Sequence, residues 1–242
     1  MAVVFVTGSS RGIGFGIAAA FARDGHTVIL NGRSDANRLT NAVAELRDNH
    51  GYNAVGICGD LSKYSVAQDI FAQIEATHGN VEILVNNAGS AHFGLFSHMS
   101  PVDINQVLAD NLQGVINASH LAIPSMVRAK AGCIINISSI WGVVGASCEV
   151  VYSAAKAGVI GFTKALAKEV GPSGVRVNGI ACGAFETRMN DRLTPEEKAA
   201  FTDEIPLGRF GQPCEVGDLA VFLASNKAAY LTGEVIKLSG GI

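Results

Sequence analysis

The feature that most narrows this chain is a short apolar run, Val3–Val6, followed at once by Thr7-Gly8-Ser9-Ser10-Arg11-Gly12-Ile13-Gly14. Consecutive apolar residues that stop at a glycine suit a strand buried on both faces, as in a parallel sheet. Residues 13–23 then take up helical spacing. A glycine loop between such a strand and such a helix is the setting in which the pattern signals a phosphate site. Gly8 permits the tight turn. Gly12 lets a pyrophosphate approach the backbone, and Gly14 lets the helix pack closely on the sheet. The helix N-terminus adds free N–H groups and partial positive charge. Gly8, Ser10, Arg11, Gly12, Ile13 and Gly14 are therefore candidates for holding a nucleotide, in the spacing GxxxGxG.

Further apolar runs at 27–30, 54–57, 83–85, 133–137, 175–181 and 234–238 read as strands. Residues 36–48, 63–78, 102–129, 152–169 and 215–224 read as helices, with Pro124 expected to kink the long central one. A long loop over 184–211 holds one helical piece near 195–203. This alternation predicts an α/β fold, a parallel sheet with helices on both faces. A length of 242 residues suits one domain, 1–242, and no repeat or linker divides it.

A net charge of −3 gives no broad basic field for nucleic acid. No apolar run reaches the ~18 residues a membrane helix needs. The first residues lack a basic n-region, so no secretory signal is expected. The five cysteines are scattered without CxxC, which argues against a disulfide or zinc framework and fits a reducing cytoplasm. No metal site is expected.

Strand two ends Asn31-Gly32-Arg33-Ser34, with no carboxylate until Asp35. A ribose 2′-hydroxyl is usually held by an acid there. Arg33 instead suits a 2′-phosphate, and Arg11 is placed to reach the same group, which favours NADP over NAD. Ser34 adjoins it. Asp60 and Leu61, after strand three, are candidates for the adenine edge. Asn87-Ala88-Gly89, after strand four, stand at the carboxyl end of the sheet, where ligands bind in such folds.

Tyr152 and Lys156 are four residues apart in a helical segment, roughly 5–6 Å apart at Cβ. An ammonium at about 4 Å, with an effective dielectric near 20, favours the phenolate by roughly 4 kcal/mol. The pair is thus expected to make a tyrosine that exchanges protons near neutral pH.

With the glycine loop, NNAG and YxxxK in this order, the chain resembles the short-chain dehydrogenase/reductase family over essentially its whole length. The resemblance implies a single doubly wound Rossmann domain with a seven-stranded parallel sheet, NADP(H) as cofactor and a homotetramer. It implies Tyr152 as catalytic acid/base. Lys156 would hold the nicotinamide ribose and lower the tyrosine pKa. Ser139, thirteen residues before the tyrosine, matches the family's serine, with Ser138 beside it the weaker choice. Asn111 matches the asparagine that anchors a water next to the lysine. After strand six the usual Pro-Gly is Cys182-Gly183, with Thr187 at the offset used for the carboxamide. Cys182 is read as a small buried cysteine in preference to a reactive thiol near the site.

Within the family the likeness is to bacterial 3-oxoacyl thioester reductases. Their acidic carrier protein calls for basic residues near the site. Arg128 and Lys130 are the candidates, while a second common basic position is Ser173 here. The run 138–150, SSIWGVVGASCEV, is similar instead to relatives that reduce a 5-aminopentanone group on a lysine of translation elongation factor P. Trp141, Cys148 and Glu149 would then border the substrate, Glu149 being either a partner for an amino group or an exposed carboxylate. A small ketone or keto-sugar acid is a further option. The partner expected is a small-molecule or carrier-bound carbonyl compound.

Overall fold

The structure is a computed structural model that describes residues 1–190 and 194–242. The strands are β1 (Val3–Val6), β2 (Thr27–Gly32), β3 (Ala54–Cys58), β4 (Ile83–Asn86), β5 (Gly132–Ser139), β6 (Val175–Cys182) and β7 (Val235–Leu238). They form one seven-stranded sheet, parallel at every pairing, in the order β3-β2-β1-β4-β5-β6-β7. The order reverses between β1 and β4, and that reversal opens a crevice at the carboxyl ends of the strands.

The apolar strand runs are explained by burial on both faces. Val4, Val6, Val28, Leu30 and Ile135 face one helical layer, and Phe5, Ile29, Leu84 and Ile134 face the other. The first layer holds α1 (Gly12–Arg23), α2 (Ala36–Ala44) and α9 (Pro213–Ala224), through Ile17, Phe21, Leu39 and Val216. The second holds α3 (Tyr64–His78), α5 (Gly114–Ala129) and α7 (Val150–Val170), through Ile74, Ala122, Met126 and Leu166. Each fully buried Phe or Leu stabilises by about 1.5–3 kcal/mol relative to exposure.

α1 and α9 touch backbone to backbone. A Cβ on Gly217 would sit 2.6 Å from the Gly16 carbonyl oxygen, so only glycine allows this approach.

Three local features differ from expectation. The central helix is interrupted, but not at Pro124, which lies inside α5 without ending it. The break is a π-helical turn, Ala109–Gln113, between α4 (Pro101–Leu108) and α5. One extra residue in the turn re-aims the side chains around Asn111. A second π-helical turn, Glu45–Asn49, ends α2. A short helix, α6 (Trp141–Val144), stands between β5 and α7, where no element is expected. The helical piece near 195–203 is α8 (Pro195–Asp203), started by a capping box between Thr194 and Glu197. Positions 191–193 of the expected 184–211 loop lie outside the described residues. Among the described residues, no helix is long and apolar enough to cross a membrane.

Candidate active site

All the residues singled out from sequence for catalysis or cofactor binding line one cleft of about 1760 Å³ at the carboxyl ends of the strands. Drug-sized ligands occupy roughly 300–1,000 Å³, so this cleft has room for two ligands side by side. Gly8 to Gly14 come from the β1–α1 turn, Arg33 and Ser34 from the end of β2, and Asp60 and Leu61 from the end of β3. Asn87, Ala88 and Gly89 follow β4. Ser139 ends β5, and Gly183 and Thr187 follow β6.

The glycine loop is shaped for a ligand rather than for side chains. Gly8 and Gly12 hold φ of +61° and +57°, where glycine alone is unstrained. A Cβ on Gly14 would collide with the Asn87 amide and with the Gly8 carbonyl. Asn87 fixes the loop by donating from Nδ2 to the carbonyls of Thr7 and Gly8, each at 3.0 Å. The Thr7 hydroxyl accepts from the backbone N–H of Asn87 and of Ala88, each at 2.9 Å. Asn31 ties the turn to β2 and β3, accepting from Gly8 N–H and donating to the carbonyls of Ile57 and Gly59. The α1 N-terminus has no side-chain cap, so its first N–H groups face the cleft unpaired by a capping side chain. These features fit a pyrophosphate. Thr187 packs above Gly12, about where a Cβ on that glycine would meet it at 3.5 Å.

Arg33 does not float in solvent. Its Nη1 donates to both oxygens of Asp110, at 2.8 and 2.9 Å. Asp60 accepts from the N–H and hydroxyl of Ser62.

Tyr152 and Lys156 lie on the buried face of α7. Lys156 Nζ donates to the Ile137 carbonyl at 3.0 Å and sits 5.7 Å from the Tyr152 ring centroid. Burial lowers the Lys156 ammonium to about 8, with nearby Cys182 acting the other way. The expected lowering of the Tyr152 phenol is not found. Burial pushes it above its ordinary value, a hydrogen bond with Ser139 pulls back less, and Glu149 and Cys182 push upward. In the chain alone desolvation outweighs the hydrogen bond from Ser139.

The two serines separate. Ser138 also borders the cleft, but its hydroxyl is committed to the Lys156 carbonyl, to which it donates. Ser139 accepts from Trp141 N–H at 3.1 Å, which leaves its own O–H to give. Asn111, fully buried in the π-helical turn, donates from Nδ2 to the carbonyls of Ser90 and Val107 at 2.7 and 2.9 Å. Its Oδ1 has no hydrogen-bond partner among the described residues. A Cβ on Gly89 would crowd that oxygen and approach Lys156 Nζ. A buried acceptor beside an ammonium is a place for a water.

Cys182 is buried, as expected, and its thiol is pushed up to about 12 by burial, against the opposing effect of Lys156. Gly183 is required because a Cβ there would stand 2.7 Å from Ser239 Cα.

On the substrate side, Trp141 and Glu149 line the cleft, joined by Phe201 of α8. Trp141 and Phe201 stack, with centroids 6.5 Å apart and planes 13° apart. Three expectations need correction. Glu149 is not an exposed carboxylate but is 7% exposed, at the start of α7. Cys148 does not line the cleft. It holds a left-handed backbone, φ +62°, while its carbonyl accepts from Gly94 N–H. Arg128 and Lys130 are not near the cleft of their own chain. They are exposed at the amino end of β5, while the cleft is at its carboxyl end, roughly 23 Å away along the strand. Ser173, before β6, stands at that same far end.

Sequence reasoning missed Asp110 and Phe201. Asp110 adjoins Asn111 in sequence, but its partner is distant and nothing in the local pattern announces it. Phe201 lies in a helix whose register over the cleft depends on the 184–211 loop.

The sequence profile described as short chain dehydrogenase matches residues 2–198. The chain is 42% identical to 3-oxoacyl-[acyl-carrier-protein] reductase FabG of Aquifex aeolicus, covering 99% of this chain and 96% of that one. It is 37% identical to the uncharacterized oxidoreductase YmfI of Bacillus subtilis, over 98% and 96% of the two chains. Among solved structures, a candidate gluconate dehydrogenase from Agrobacterium tumefaciens superposes with a TM-score of 0.95 at 31% identity, covering 99% and 94%. With this fold, this cleft and these relatives, the chain belongs to the short-chain dehydrogenase family of nicotinamide-dependent oxidoreductases.

Proposed function

We propose that this enzyme reduces a carbonyl to an alcohol with NADPH, acting most directly on a 3-oxoacyl thioester of the kind named for its FabG relatives. The observation that carries the reaction class is the convergence of Ser139, Tyr152, Lys156 and Asn111 on one side of the glycine-loop cleft. Arg33 and Arg11 both line the cleft and no acid ends β2, which supports NADPH. When bound, NADPH supplies the hydride. Ser139 hydrogen-bonds the carbonyl oxygen and offsets the charge that develops on it. The Tyr152 phenol, protonated at neutral pH and raised further by burial, gives its proton to that oxygen. Lys156 and a water at Asn111 return the proton. The direct test is NADPH oxidation against an acetoacetyl thioester, a simple aminoketone and a keto-sugar acid. Tyr152→Phe should lower turnover by about 10²–10⁴ while keeping NADPH binding. Wild-type turnover in that variant would sink the assignment.

A second reading, reduction of a 5-aminopentanone group on modified elongation factor P, is favoured by Glu149. A buried carboxylate lining the cleft gives an acyl chain nothing, whereas it suits an ammonium. The placement of Arg128 and Lys130 away from the cleft removes, within one chain, the support they gave to a carrier protein. Glu149→Gln should raise KM for the aminoketone and spare the acetoacetyl thioester. Equal effects on both would remove this reading.

A homotetramer is part of the same proposal. Ala154, Ala157 and Gly161 leave a small, exposed stripe on α7 that permits close approach of a second copy. A monomer by light scattering at micromolar concentration would overturn it.

A further inference from the structure

The Asp110 carboxylate is the buried charge whose role the reaction leaves unexplained. Its side chain is only 6% exposed, while that of Arg33 is 54% exposed at the mouth of the same cleft. A carboxylate so enclosed needs a counter-charge and further donors. Arg33 gives the charge. Ser90 donates from its hydroxyl at 2.7 Å, and Gln106 from Nε2 at 2.6 Å. These two, from the loop after β4 and from α4, fix the carboxylate so that both oxygens meet Arg33. Both contacts use Nη1, and Nη2 and Nε of Arg33 make no hydrogen bond among the described residues.

We propose that Asp110 is a specificity-determining residue: it holds Arg33 by one nitrogen so that the other two face the 2′-phosphate of the cofactor. The inference rests on the NADPH reading above. An unrestrained arginine on the surface loses side-chain entropy when it meets a phosphate, and a tethered one has already lost much of it. The guanidinium can serve two anions at once because its donors lie in a fixed plane. A lysine ammonium in its place lacks that fork.

The test is equilibrium binding of NADPH and NADH by fluorescence titration, with the melting temperature of the cofactor-free protein measured alongside. Asp110→Asn should weaken NADPH binding about tenfold and leave NADH nearly unchanged. In an Arg33→Ala background the same change should leave the ratio of the two dissociation constants where it was. Arg33→Lys, at an exposed position, should lose most of the NADPH preference although the charge is kept. If Asp110→Asn keeps the wild-type ratio, or binds NADPH more tightly, the proposal is overturned. If Asp110→Asn melts too low to titrate, Arg33→Lys decides alone: a retained preference overturns the proposal, and a lost one supports it. A wild-type protein that binds NADH as tightly as NADPH would instead refute the cofactor reading itself.

Discussion

The Ser138 hydroxyl donates to the main-chain carbonyl of Lys156 across 2.9 Å, fastening α7 to the end of β5. Ser139, the next residue, lies on the opposite face of the strand and hydrogen-bonds Tyr152 instead. The two serines should therefore separate by mutation. Ser138→Ala is expected to lower stability by about 1 kcal/mol, read from the denaturant midpoint, with kcat nearly unchanged. Ser139→Ala should leave the midpoint in place and lower kcat by about a hundredfold. The reverse pattern would exchange their roles.

Lys156 should leave a mark on the pH profile. Burial lowers its ammonium to about 8 and raises the Tyr152 phenol. In the reduction direction kcat/KM should fall as pH rises past about 8, and Lys156→Met should be slower and lack that limb. The same shift affects stability. Between about 8 and the ordinary 10.5 the unfolded chain binds the proton more readily than the folded one. The cost of burying the ammonium is thus complete below that window and is relieved as pH rises through it. Denaturation midpoints at both ends of the window, for wild type and Lys156→Met, measure the difference. An equal slope in the two proteins would contradict the burial of this charge.

At the far end of the chain, Arg209 grips Glu215 through two bonds of 2.8 and 2.6 Å, and Gln212 N–H adds a third at 2.7 Å. The hydrogen bond from Arg209, and then that from Gln212, holds the Glu215 carboxyl at about 2, below its ordinary 4.5. A depressed carboxylate stabilises above its unfolded value, and that contribution disappears as pH falls from 4.5 toward about 2. The pair is partly exposed, 52% and 37%, so Glu215→Gln should cost no more than about 1 kcal/mol at pH 7. That cost should vanish in acid. A constant difference at pH 7 and pH 2.5 would count against the mechanism.

Gly217→Ala should be far more damaging than its size suggests. The added methyl meets the Gly16 carbonyl at 2.6 Å and the Ala20 Cβ at 2.7 Å, and neither is a flexible tip. A loss of roughly 1–3 kcal/mol is expected from such overpacking, together with weaker binding of the nicotinamide cofactor as α1 shifts. Thermal melting and a binding titration together check this, and an unaltered melting temperature would mean that the helices can part without cost.

The strands were readable because burial on both faces leaves an unbroken apolar run, as in Val3–Val6 and at 133–137. The cleft residues were readable because short spacings encode them: glycines within one turn, a tyrosine and a lysine one helical turn apart. What stayed hidden depends on contacts across the chain. Asp110 gains its meaning from Arg33, seventy-seven positions away, and the burial of Glu149 follows no local pattern. The π-helical turn at Asn111 has no signature in the local sequence, since no proline or glycine lies within Ala109–Gln113 to mark it. The upward shift of Tyr152 was missed because the sequence shows a neighbouring charge but not the depth of burial.

The contact between Gly16 and Gly217 also sets an order of events during synthesis. α1 leaves the ribosome well before α9, with strands β2 to β6 of the sheet made between them. Until α9 is made, the face of α1 around Gly16 and Ala20 has no cover, and the nascent chain carries an open apolar flank while most of the sheet is already available. Such a flank is a target for chaperones and for misassembly. Chains that stop before residue 213 should accordingly be insoluble or degraded rather than smaller active enzymes.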